Sequence, residues 1–222
     1  MIFLCFGNSL TSGYPGYSPS INGISNGYGD EKSQYEYWLH NYCIEFLKKN
    51  LSKNDNYFME DLNFINKGIP GELTRNLLNR IEIDLLNFCP KPDYSIIIGG
   101  TNDLGWGISN EKIFENIKTL HIQSKNKSIK TIGATIPPIR QESTSGNYHE
   151  RKFRLNQELE AYFKREEIPY ADLFNGMADA QGNLKPEYAY SDGLHFSVQG
   201  YKEMGLVIFE DVVKNLLELA YF

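Results

Sequence analysis

Four short stretches of this 222-residue chain hold residue types suited to chemistry on a carbonyl carbon. Ser9 lies in Phe6-Gly7-Asn8-Ser9-Leu10-Thr11-Ser12-Gly13-Tyr14, directly past a short apolar run and between glycines that permit a tight turn. A serine hydroxyl is a poor nucleophile until a base removes its proton. Asp192 and His195 share a glycine-containing segment, close enough in sequence for the carboxylate to bond one imidazole nitrogen. Ile98-Gly99-Gly100-Thr101-Asn102-Asp103 carries an amide and a carboxylate past a second apolar run. Gly68-Ile69-Pro70-Gly71-Glu72 turns into a helical pattern whose first amides are free to meet an anion. Singly, each stretch has an ordinary structural reading: Ser9 as a helix cap, Asn102 as an Asx turn, His195 as a buried structural histidine. Together and in this order they supply every part that acyl transfer requires.

Such groups work only if the backbone brings them to one place. Five apolar runs of about five residues, Ile2–Phe6, Leu62–Asn66, Tyr94–Ile98, Thr131–Thr135 and Tyr170–Leu173, read as buried strands. Helical periodicity fills the intervals. Tyr35, Trp38, Leu39, Tyr42, Cys43, Phe46 and Leu47 form one stripe, and Leu73, Leu77, Leu78, Ile81 and Leu85 a second. Ile113, Phe114, Ile117 and Leu120 form a third, and Phe153, Leu155, Leu159 and Phe163 a fourth within 148–165. A last helix opens at Ser197 as N-cap and runs through Val207, Val212 and Leu216. This alternation predicts an α/β fold with a central parallel five-stranded sheet covered by helices on both faces. Residues 1–222 read as one domain, with no repeat or linker. In such sheets ligands bind beyond the carboxyl ends of the strands, where Ser9 and Asn102 fall. Two segments break the alternation: Gly13–Asp30, rich in Gly, Pro, Ser and Asn, and Asn175–Leu194. Both read as long loops, a class often tied to function.

Composition narrows the field. The chain has 28 acidic and 22 basic residues, a net charge of −6 and the wrong sign for a default nucleic-acid binder. Three separated cysteines, Cys5, Cys43 and Cys89, give no disulfide framework and no C-x-x-C pair. His40 and His121 fall beside helical apolar stripes and read as structural, and His149 sits at a loop-to-helix junction. No metal site and no cofactor are expected. The short apolar start, 1–6, lacks the form of a signal peptide, and no window has the length of a membrane span. A cytoplasmic protein with a small-molecule partner is the expectation.

From Phe6 to about Tyr201 the sequence resembles the SGNH (GDSL-type) hydrolases. The resemblance rests on Gly7-Asn8-Ser9-Leu10, Gly68-Ile69-Pro70-Gly71-Glu72-Leu73-Thr74, Gly100-Thr101-Asn102-Asp103, and the Asp192-to-His195 block. It implies a flavodoxin-like three-layer sandwich and ester hydrolysis through an acyl-enzyme. It also implies Ser9 as nucleophile, His195 as base and Asp192 as the acid that orients the imidazole. The oxyanion hole would combine the backbone N–H of Ser9, the backbone N–H of Gly71 and the side-chain amide of Asn102. Asn8 departs from the family pattern, which has Asp there, keeping the shape and a hydrogen-bonding oxygen without the charge. Proline has no N–H, so Pro70 leaves Gly71 as the donor of its turn.

The expected substrate is a carboxylic ester of a small or medium acyl group, with an acetylated carbohydrate or a lipid-like acyl ester as candidate classes. Tyr14, Tyr17, Tyr28, Trp106 and Tyr148 lie on loops at the expected active edge, where they could wall an acyl pocket or stack on a sugar ring. The rival reading is a flavodoxin-like module that binds a phosphate or a flavin with its Ser/Thr-rich first loop and has no hydrolase activity. Such a module has no use for Asp192 and His195.

Overall fold

The computed structural model describes residues 1–18, 28–51, 62–140 and 147–222. In chain order the elements begin with β1 (Ile2–Gly7), α1 (Ser9–Ser12), β2 (Tyr17–Ser18), β3 (Tyr28–Gly29), α2 (Tyr35–Asn50) and β4 (Asn63–Gly68). Next come α3 (Thr74–Ile81), β5 (Tyr94–Ile98), α4 (Thr101–Gly105), α5 (Asn110–Asn126) and β6 (Lys130–Ala134). The last are α6 (Tyr148–Arg165), β7 (Tyr170–Ala171), α7 (Leu173–Met177), α8 (Val198–Ile208) and α9 (Lys214–Tyr221). Wider π turns at Glu82–Leu86 and Phe209–Val213 prolong α3 and join α8 to α9.

Five strands form one parallel sheet in the order β4-β1-β5-β6-β7, and β2 and β3 form a small antiparallel pair. The chain steps from β1 outward to β4, then returns past β1 to β5. The order reverses between β1 and β5, and that switch point opens the crevice where ligands of such sheets bind. Gly7 pairs with both Gly68 and Ile98 at this edge, so three of the four sequence blocks start from neighbouring strand ends.

The strands are apolar throughout because both faces are covered. Phe3, Cys5, Ile96 and Ile98 point to one side, packing with Tyr35, Leu39 and Cys43 of α2 and Tyr201, Met204 and Ile208 of α8. Leu4, Phe6 and Ile97 point to the other, against Leu77 and Ile81 of α3 and Leu120 of α5. A third cluster joins α5 and α6 through Ile113, Ile117, Leu155, Leu159 and Phe163, and reaches Leu104 and Leu194. This is the α/β fold expected from the sequence.

Some details differ from the sequence reading. The strand β7 ends at Ala171, because Asp172 then caps α7 through its bond from the Asn175 N–H at 3.2 Å. The buried face of α6 runs through Tyr148, Lys152, Leu155, Asn156, Leu159, Tyr162 and Phe163. Phe153, read as part of the apolar stripe, lies off that face and is 53% exposed. On α2, Trp38, Tyr42 and Phe46 are only half-buried at the margin of the core. Within Gly13–Asp30, β2 and β3 replace part of the expected loop, and 19–27 lies outside the described residues. Among the described residues no helix is long and apolar enough to cross a membrane.

Candidate active site

At Gly7 the chain leaves β1 so close to its neighbours that a Cβ would lie 2.2 Å from Thr11 Oγ1 and 2.6 Å from the Ile98 carbonyl oxygen. Only glycine permits that approach. Asn8 then caps the single turn of α1, its Oδ1 accepting the Leu10 N–H at 3.0 Å. A carboxylate would accept the same bond, so the departure at Asn8 preserves the local shape. Ser9 is the first residue of this turn and is 4% exposed.

His195 arrives from the far end of the chain. Its Nε2 lies 3.1 Å from Ser9 Oγ, and its Nδ1 lies 2.6 Å from Asp192 Oδ2. The other carboxylate oxygen, Oδ1, accepts the N–H groups of Leu194 at 2.9 Å and His195 at 2.8 Å. Partial burial pushes the Asp192 carboxyl upward, but the bonds from the His195 ring and from these two N–H groups outweigh it, and the group stays ionised below the usual range. The loop holding the pair is itself tied down. Its Gly193, at a φ of 70°, accepts the Arg140 N–H on its carbonyl oxygen at 2.6 Å, and the Tyr190 N–H donates to the His195 carbonyl at 2.8 Å. Ser197 caps α8 through the Gly200 N–H at 3.1 Å, fixing where the loop re-enters a helix.

The turn after β4 faces this assembly from the neighbouring strand end. Gly71 has a φ of 81°, in the left-handed region, and no heavy atom stands within 4 Å of where a Cβ would be. Among the described residues, no hydrogen bond takes up the backbone N–H of Ser9 or of Gly71. Asn102 sits in the first turn of α4 and gives one amide proton to the Glu72 carbonyl at 2.9 Å, which fixes the plane of the amide. A primary amide has two protons, so one remains to point elsewhere.

The blocks at Gly71 and Asn102 are also braced from below. The carboxylate of Asp103, 1% exposed, accepts the Thr74 N–H at 3.0 and 3.1 Å and the Thr74 hydroxyl at 2.6 Å. Asn116 of α5 donates to the same hydroxyl oxygen at 2.9 Å. Burial raises the Asp103 carboxyl, and the bonds from Thr74 work against that rise. Sequence reasoning gave no role to Thr74, Asp103 or Asn116. The signal present in the sequence was the carboxylate beside Asn102, where a helix opening past a buried strand has little else to pair with.

The five aromatics fare differently. The Tyr14 ring stands edge-on to the His195 ring with centroids 4.7 Å apart, and its carbonyl accepts the Tyr201 hydroxyl at 2.6 Å. Trp106, at the end of α4, is 78% exposed. Tyr148 is the first residue of α6 and is buried in the cluster with Leu104 and Ile139, not presented from a loop as the sequence suggested. Tyr17 is half-buried in β2, and the Tyr28 side chain lies outside the described residues.

None of the other histidines is joined to the Ser9–His195–Asp192 line by a hydrogen bond among the described residues. His121 is buried, with Nδ1 bonded to Thr131 Oγ1 at 2.7 Å, and burial lowers it to about 3, so it is neutral. His40 packs edge-on against Phe64, and His149 is an exposed residue of α6. A cavity of about 450 Å³ among His121, Tyr162, Tyr94 and Leu219 lies at the amino ends of β5 and β6, the opposite end of the sheet from Ser9. The hydrogen-bonded groups, rather than the volume, locate the candidate site.

The GDSL-like lipase/acylhydrolase family model matches residues 5–203. Among solved structures the chain is similar to a GDSL-like lipase from Bacteroides thetaiotaomicron, with 23% identity, 96% of this chain and 88% of that one covered, and a TM-score of 0.68. It is similar to the lipase/acylhydrolase from Enterococcus faecalis, with 23% identity, 96% of each chain covered and a TM-score of 0.68. An acetyl-xylooligosaccharide esterase from Geobacillus aligns at 18% identity over 95% of this chain and 93% of its own, with a TM-score of 0.66. No curated protein matches the sequence.

Proposed function

Since this chain belongs to the GDSL-like lipase/acylhydrolase family and is a hydrolase acting on ester bonds, we propose that Ser9 is its nucleophile and that the reaction passes through an acyl-enzyme. The observation that carries this reading is the unbroken hydrogen-bonded line from Ser9 Oγ through the His195 ring to Asp192. His195 Nε2 takes the Ser9 proton as Oγ attacks the ester carbonyl. Asp192 keeps Nδ1 protonated and stabilises the imidazolium that forms. The carbonyl oxygen becomes an oxyanion, met by the N–H groups of Ser9 and Gly71 and by the second amide proton of Asn102. Collapse of this intermediate expels the alcohol, which leaves with the proton held on His195. A water then gives a proton to His195 and attacks the acyl-enzyme, releasing the acid and restoring Ser9.

The proposed substrate is an ester of a small or medium acyl group, with acetyl groups on carbohydrate as the class to test first. Tyr14 beside His195 and exposed Trp106 past Asn102 offer flat apolar faces of the kind on which sugar rings stack. The fold likeness to the acetyl-xylooligosaccharide esterase points the same way. We read residues 1–222 as one domain carrying this whole site.

Turnover of p-nitrophenyl acetate, compared with longer acyl chains and acetylated oligosaccharides, tests the reading. Ser9→Ala is expected to lower kcat by about 10⁶-fold, and Asn102→Ala by roughly 10²–10³-fold. Retained activity in Ser9→Ala would sink the assignment.

A further inference from the structure

Arg80 has no part in the chemistry just described, yet it holds the backbone at the starts of the two segments that would supply main-chain oxyanion donors, and the side chain of Glu72, whose carbonyl orients the third. It stands on α3 with a side chain only 13% exposed, its guanidinium 4.2 Å from the centre of the Phe6 ring. Nη2 donates to the Gly7 carbonyl and to the Lys67 carbonyl, each at 2.9 Å. Nε donates to Glu72 Oε2 at 2.8 Å, and Nη1 to Asp84 Oδ2 at 3.1 Å. Four of the five guanidinium protons are thus committed in fixed directions, as a planar fork allows and an ammonium does not.

The partners are the informative part. Gly7 and Lys67 belong to the ends of neighbouring strands β1 and β4. Gly7 leads through Asn8 to Ser9, whose N–H is one proposed donor. Lys67 leads into the turn that ends at Gly71, the second. The Gly7 carbonyl also accepts the Ile69 N–H at 3.1 Å, so strand end and turn are already joined there. Glu72 follows Gly71, and its carbonyl receives the amide of Asn102, the third donor, at 2.9 Å. One side chain therefore holds both ends of the turn and the strand end beside it.

We propose that Arg80 is a positioning residue that sets the spacing of the three oxyanion donors. The proposal rests on the oxyanion hole described under Proposed function. Donors aimed at a developing charge lose their effect when displaced by a fraction of an ångström, while substrate affinity depends on other contacts. Loosening Arg80 therefore lowers kcat with little change in KM.

The test is a double-mutant cycle on a short p-nitrophenyl ester. Variants Arg80→Lys and Asn102→Ala are made singly and together, and kcat is normalised to the sites titrated by a fluorophosphonate at its end point. Arg80→Lys should lower kcat per site by roughly 10–10²-fold with KM within about 3-fold. In that background Asn102→Ala should cost less than about 10-fold, because the amide is already misplaced. Glu72→Gln, at a 14%-exposed side chain, removes the charge that clamps Nε. It serves if Arg80→Lys does not fold, and should lower kcat several-fold while shrinking the Asn102 factor in the same sense. A purely structural arginine would lower the melting temperature and the number of titrated sites, leaving kcat per site and the Asn102 factor intact; that result overturns the proposal alone. If Asn102→Ala has no effect in the otherwise native protein, the oxyanion hole is misassigned and both readings fall.

Discussion

Two polar clusters lie among the helices near the carboxyl ends of the strands, and they are built on opposite terms. Around Thr74, Asp103 and Asn116, and around Arg80, the buried donors and acceptors meet partners at 2.6–3.1 Å. Around Lys152 they do not. Its side chain is 1% exposed, and Nζ lies over the rings of Tyr148 at 5.3 Å and Phe174 at 5.5 Å. Neither Nζ nor the Tyr148 hydroxyl has a hydrogen-bond partner among the described residues. Burial alone pushes the amine down to about 7. A paired cluster holds atoms in place, because moving any member leaves another buried and unpaired. An unpaired amine is tolerated only by giving up its charge, and it holds nothing. The paired cluster borders the proposed oxyanion turn; the unpaired one borders a wall of side chains.

The comparison can be broken at several points. The largest expected effect is at the paired line nearest the chemistry: Asp192→Asn should lower kcat by about 10⁴-fold. Its melting curve should move little, because the Asp192 side chain is 40% exposed.

Next is the unpaired amine. A lysine at 10.5 when free and about 7 when buried carries fewer protons in the folded chain than in the unfolded one between those values. Stability therefore rises with pH across that window, and the penalty of burying the charge is complete below about 7. In urea unfolding, Lys152→Met should remove a rise on the order of 4 kcal/mol between pH 7 and 10. It should also be the more stable protein at pH 6.5, with turnover unchanged. An equal pH dependence in both proteins would show that the amine is not the titrating group.

Asp103→Asn then probes the satisfied side. Asparagine presents an NH₂ where an oxygen now accepts from Thr74, and unfolding should become easier by about 2–3 kcal/mol. Stability unchanged to within 0.5 kcal/mol would mean that the Thr74–Asp103 brace is not structural. Smallest of all, Trp106→Ala should leave stability within about 0.5 kcal/mol, since the side chain is 78% exposed. Its effect should appear in KM for acetylated oligosaccharides and not for p-nitrophenyl acetate.

What the sequence disclosed follows from the same distinction. A parallel sheet covered on both faces turns strands into unbroken apolar runs, so Tyr94–Ile98 was readable to the residue. The catalytic candidates were readable because each stands next to a strand end or a turn glycine that marks itself. Arg80 and Asp103 were not, because their meaning lies in partners up to 73 residues away. Periodicity carries no record of such pairing. On α6, counting Phe153 with the apolar stripe places it inside and overlooks Lys152. The helix instead turns Tyr148, Lys152, Leu155 and Leu159 inward at spacings of three and four. A charged residue on the buried face is what an apolar count cannot anticipate.

The hydrogen bond between Ser9 and His195 joins residues 186 apart in the chain. Its serine leaves an inner strand of the sheet, and its histidine precedes the helix α8 that packs on α2. Helices and strand pairs can form from nearer contacts, whereas a contact of such separation waits for the loop between its ends to be ordered. During refolding from denaturant, then, recovery of ester hydrolysis should trail recovery of the helical circular-dichroism signal. The enzyme's own turnover becomes a clock for the last step of its assembly.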